Sequence, residues 1–138
     1  MLDQTTRPGS ATVLVPTTWS ALLDRIEILK LKRARAGDPT VAFEVARELD
    51  LLCDIRDRDM RRSAAIDRLV AELAQANAEI WEAEDAIRRH ERHRDFGHPF
   101  VAAARSIYLA NDRRSGIKQA IDDALGSAFR DHKIYGTD

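Results

Sequence analysis

Apolar residues recur at helical spacing through most of the chain, and the interruptions divide it into helices. Trp19, Leu22, Leu23, Ile26 and Leu29 predict a first helix that begins at a Thr17 or Thr18 cap, runs to about Ala36 and stops at Gly37. Asp38-Pro39 pairs a capping carboxylate with a proline whose missing N–H is harmless in a first turn, and it opens a second helix through Val41, Val45, Leu49 and Leu52. From about Arg58 to Arg92 no breaker appears, and Ile66, Leu69, Leu73, Ala76, Ile80, Ala83 and Ile87 hold an a/d spacing. Such a helix would span about 50 Å at 1.5 Å per residue. A compact globule of this length is only about 37 Å across, so the pattern predicts an elongated molecule or a helix that serves a dimer.

Arg94 to Pro99 reads as a turn, with Gly97 free to adopt a positive φ and Pro99 placed to start a returning helix. That helix carries Phe100, Ala104, Ile107, Tyr108, Ile117, Ile121 and Leu125 and stops at Gly126-Ser127, with Asn111-Asp112 a candidate interruption. Residues 1–12 are too polar to offset ordering entropy and read as an N-terminal arm, which leaves 13–138 as one helical domain. Val13-Leu14-Val15-Pro16 is a short extended segment that could pair with Lys133-Ile134-Tyr135. The expected architecture is an all-α, elongated bundle of four to five helices with a long central helix and a C-terminal helical hairpin.

Composition narrows the function classes. The chain has 138 residues, too few for a two-domain enzyme. Six Gly, four Pro and 33% charged residues favour long helices over a turn-rich β fold. A net charge of -1 supplies no global positive field for nucleic acid or an anionic membrane. Cys53 is the single cysteine, which excludes an internal disulfide, fits a reducing compartment and shows no signature of an activated thiolate. Without a run of roughly 18 apolar residues or a signal-peptide pattern, the expected location is cytoplasmic.

The candidate chemistry comes from polar residues inside apolar arcs. With Ile80 at 0° and 100° per residue, Asn77, Glu84, Arg88 and Glu91 fall between about 20° and 80°, beside Trp81 on the packed side of the long helix. In the returning helix Asn111, Arg114 and Lys118 share the arc of Ile107 and Ile121. Folding the hairpin about Phe96 sets Trp81 opposite Asn111 and Asn77 opposite Ser115, so Asn77, Trp81, Glu84, Arg88, Asn111, Arg114 and Lys118 form one polar cluster. An interior charge needs a partner, which predicts Glu84 paired with Arg88, Arg114 or Lys118. The remaining cations could hold an anionic ligand, or the cluster could fix helix register.

Other patterns have plainer explanations. Glu79, Glu82 and Asp85 have an ExxExxD spacing that could hold Mg²⁺ as in all-helical nucleotide pyrophosphohydrolases, yet the wheel points them outward as salt-bridge partners. His90, His93 and His98 near Asp95 straddle a helix end, where imidazoles complement the dipole. Arg25, Lys30, Lys32, Arg33 and Arg35 form a basic stripe diluted by Asp24 and Glu27. Asp95-Phe96-Gly97 spells the kinase magnesium motif without the rest of a kinase. No metal site and no cofactor is predicted.

The stretches ILKLK, WEAEDAIRRHERHRDFG and ARSIYLANDRRSGIKQAIDDALGS resemble a family of short bacterial helical proteins without an assigned activity. Relatives read ILEIK where this chain has Lys30, and an acidic pair where it has Arg130-Asp131-His132 before Lys133. The resemblance covers about residues 13–135. It implies a bacterial, cytoplasmic protein of the same fold, with Trp81, Glu84, Asp85, Asn111, Asp112, Arg113, Arg114 and Lys118 as motif positions. Two functions follow as expectations. The first is a non-enzymatic module that self-associates or docks another bacterial protein. The second is a protein or enzyme that binds an anionic metabolite or nucleotide in the polar cluster, with Glu84 as acid or base.

Overall fold

A computed structural model describes residues 11–129 and 132–136. The expected arm therefore lies outside the described residues except for Ala11 and Thr12. Among the described residues the fold is all-α, with four helices: α1 (Trp19–Arg35), α2 (Pro39–Asp59), α3 (Ala64–Arg92) and α4 (His98–Leu125). Thr18 caps α1 by accepting from the Ala21 N–H, and Asp38 caps α2 by accepting from Thr40. Gly126, at φ 67°, ends α4 in the left-handed region that glycine adopts without a Cβ penalty.

The uninterrupted helix expected from Arg58 is instead broken between α2 and α3. Met60 is extended at φ -85°, ψ 132°, and the Ser63 side chain accepts from the Ile66 N–H to start a new helix. Tertiary packing decides this break, because the extended backbone lets Met60 bury itself with Leu23, Ile66 and Leu73. At 1.5 Å per residue the shortened α3 is still about 44 Å long. Asn111-Asp112 does not interrupt α4, which is continuous across them. The positive φ of the hairpin turn falls on Arg94, at 51°, while Gly97 stays at -75°. The strand pair between 13–15 and 133–135 is absent among the described residues, where Tyr135 instead donates its hydroxyl to Asp112 Oδ1 at 2.9 Å.

α3 and α4 fold back as an antiparallel hairpin, and α1 lies across its inner half. Arg113 contacts Glu79, and these two are equidistant along the chain from Phe96, the register expected for a fold about that residue. Two small cores result. Leu23 of α1 packs with Leu73, Ala76, Ile117 and Ile121 of the hairpin, while Ile26 and Leu29 pack with Leu49 of α2. Half-buried Cys53 belongs to the second core. Among the described residues α2 packs on α1 and on no other helix.

Candidate functional site

α1 enters the hairpin with polar residues on its buried face. Ser20, Asp24 and Glu27 follow one another at helical spacing, and all three are buried beside Leu23 and Ile26. At the first of them, Asp122 of α4 accepts from the Ser20 N–H at 3.0 Å and from the Ser20 hydroxyl at 2.7 Å, and Ser127 donates to the same carboxylate at 3.0 Å. A carboxylate there satisfies an unpaired first-turn N–H and complements the positive end of the α1 dipole.

One turn further, Asp24 is the centre of the polar cluster. Its Oδ1 accepts from Asn77 Nδ2 at 2.8 Å and Arg114 Nε at 3.2 Å, and its Oδ2 accepts from Arg114 Nη2 at 2.7 Å. Lys118 Nζ lies 3.7 Å from Oδ2, and Asn111 Oδ1 accepts from Arg114 Nη1 at 2.9 Å. Burial by itself raises the carboxyl pKa. The hydrogen bonds from Arg114 and Asn77, with the charges of Arg114 and Lys118, outweigh that effect and hold Asp24 below its ordinary value.

Where α1 runs out over α3, a groove of about 420 Å³ opens between Ile28, Leu31, Ile80 and Trp81, with Glu84 and Arg114 at its polar side. Asn77, Asp85 and Arg88 complete its lining. Arg88 donates to Glu84 at 3.3 Å, one of the pairings expected for that carboxylate. The Arg35 guanidinium sits 5.1 Å from the Trp81 ring centroid and donates to Glu82 at 2.7 Å.

The expected cluster is thus brought together around a residue that it lacked. Asn77, Trp81, Glu84, Arg88 and Arg114 line one groove, Asn111 braces Arg114, and Lys118 faces Asp24 from the next turn. By sequence Asp24 reads as part of the diluted basic stripe of the first helix, whereas in the fold it is 5% exposed. Its signal in the sequence is periodic, because Ser20, Asp24 and Glu27 form a narrow polar band beside Leu23. Chemically the network is close to balanced. Arg114 and Lys118 are engaged by Asp24, Arg88 by Glu84, and Asp85 adds a negative charge to the groove.

The ExxExxD carboxylates point to separate places, Glu79 to Arg113, Glu82 to Arg35 and Asp85 to the groove. Among the described residues no group of three or more His, Cys, Asp and Glu could hold a metal ion. His90 lies 3.8 Å from Asp95 and edge-on to Phe100. In the basic stripe, Arg25 forms a two-point pair with Glu48, and Lys30 pairs with Glu27 at 3.0 Å.

The model of a family of unknown function, DUF6165, matches residues 14–138. The chain belongs to that family. The DUF6165 match spans all four helices, the Asp24 network and the groove. No curated protein and no solved structure matches the chain. No described helix of this DUF6165 member is long and apolar enough to cross a membrane.

Proposed function

We propose that this chain is a non-enzymatic helical interaction module of the bacterial cytoplasm, with residues 13–138 as its single domain. The observation that carries the reading is the outer half of the hairpin, residues 84–109, in which no residue is buried. Beyond the groove with α1, α3 and α4 pack on each other alone among the described residues, and Phe96, Val101, Tyr108 and Leu109 stand in solvent. Large apolar side chains gathered on an uncovered pair of helices suit a surface that a protein partner completes. The test is a photo-crosslinking amino acid placed at Tyr108 or Leu109, with buried Leu73 as the control position, in the native host. A discrete adduct at the exposed positions is expected. A chain that forms none and stays monomeric in solution would overturn the reading.

The second reading places an anionic metabolite or nucleotide in the groove, where Trp81 and an apolar floor favour it. It has less support because Arg114 and Lys118 already hold Asp24, and because Glu84 and Asp85 repel an anion. A Mg²⁺-dependent pyrophosphohydrolase has less support still, since Glu79 and Glu82 are bound to arginines on two different helices.

A further inference from the structure

The net charge of -1 conceals two opposite ends. Between Asp38 and Asp59, seven acidic residues stand against three arginines, a net of -4. Between Arg88 and Arg105, five arginines stand against Glu91 and Asp95, a net of +3 before any of the three histidines is charged. The first segment is α2 with its cap, the helix that touches α1 alone. The second is the bare end of the hairpin.

Much of this charge is unspent. On α2, Glu44, Asp50 and Asp54 are exposed and form no ion pair among the described residues, and helical spacing sets them on the side away from Leu49 with Phe43 and Leu51. Arg47 is the base among them. At the hairpin end Arg89, Arg92 and Arg94 are exposed and equally unpaired, around Phe96, which is 49% exposed. Each surface combines apolar side chains with one dominant sign of charge, and the signs are opposite.

Building on the interaction-module reading, we infer that the partner is a second copy of this chain, with the hairpin end of each copy seated on the outer face of the other's α2. The arrangement is a two-fold, side-by-side antiparallel dimer in which both contacts form at once. The fold allows both. Leu49 packs on Ile26 and Leu29, Asp24 lies level with Asn77, and Arg35 is level with Glu82, so α2 runs beside the inner half of the hairpin and its basic end projects beyond. A two-fold axis level with Asp85, outside the hairpin on the α2 side, then brings each basic end over the opposite acidic helix.

The test is sedimentation equilibrium of the full chain at 50 and 500 mM salt, with two charge-reversed variants, R89E/R92E/R94E and E44K/D50K/D54K. We expect a dimer whose dissociation constant rises by about tenfold or more at the higher salt. Each variant alone should be monomeric, and an equimolar mixture should form a 1:1 dimer, because both contacts are then restored. Recovery in the mixture also shows that both variants are folded. A monomeric wild-type chain at low salt, a dimer indifferent to both reversals, or a mixture that stays monomeric overturns the inference. A monomeric chain whose Tyr108 position still crosslinks to a different protein would overturn this inference while leaving the interaction module standing.

Discussion

Arg114 grips Asp24 through two parallel hydrogen bonds, Nε to Oδ1 and Nη2 to Oδ2, across 90 residues of sequence. The Asp24 side chain is 8% exposed and the Arg114 side chain 27%, so α1 is tied to α4 by a pair largely withdrawn from water. Such a pair contributes little over a well-packed apolar substitute, yet removing one member strands the other.

Asp24→Ala leaves Arg114 and Lys118 facing a low-dielectric pocket without a counter-charge. The expected loss is about 3 kcal/mol in urea denaturation. The double variant Asp24→Leu with Arg114→Met should recover a substantial part of it, because no uncompensated charge remains between the helices. A loss from the single variant that the double variant deepens would show that the pair supplies net attraction.

Because the Asp24 pKa is depressed in the folded chain, the folded state binds its proton less readily than the unfolded one. Its contribution is complete above the unfolded value of about 3.9 and is lost as pH falls through the lower folded value. Unfolding free energy should therefore fall more steeply below about pH 4 in the wild type than in Asp24→Asn. Equal acid limbs would show that other carboxylates govern acid unfolding. Glu48 is depressed in the same direction by its hydrogen bond from Arg25, but that pair is well exposed and adds little.

Asp122 serves the start of α1 from a position 2% exposed. Asp122→Ala removes the acceptor for the Ser20 N–H and for two hydroxyls, and should cost about 2 kcal/mol. Asp122→Asn, which keeps an acceptor oxygen, should cost less. In hydrogen exchange the added protection loss should appear first in the amides at the start of α1.

Apart from Met60 at its end, α2 is held by a small apolar seam on α1 and the exposed Arg25–Glu48 pair, so it should open before the hairpin does. Its amides are expected to exchange faster than those around Leu73, which is 0% exposed between α1 and α4. Leu49→Ala should widen that gap and cost about 2 to 4 kcal/mol if α2 detachment limits global stability. Uniform exchange across both regions would show instead that α2 and the hairpin unfold as one unit.

The helical segments, a cap within Thr17-Thr18, the cap at Asp38, the stop at Gly126 and the register of the hairpin were legible in the chain, because spacing, capping and turn chemistry act over a few neighbouring residues; that the helices number four and that Thr18 is the cap is set by the fold. The inward polar side chains Asn77, Glu84, Asn111, Arg114 and Lys118 were legible from the same local spacing, whereas Arg88 and Glu91, expected on the packed side of the long helix, are exposed, because no helix covers that end of the hairpin. Two features were not. The break at Met60 follows from burying that side chain against α1 and α3, a contact no local pattern announces. The periodicity of the hairpin offers Glu84 as the partner of Arg114 and Lys118, but the carboxylate that meets them is Asp24 of α1, because charge pairing depends on which helix packs against the hairpin. Helical periodicity specifies which face of each helix turns inward; only the assembled fold determines which charges meet there, and which of them are left outside without a partner.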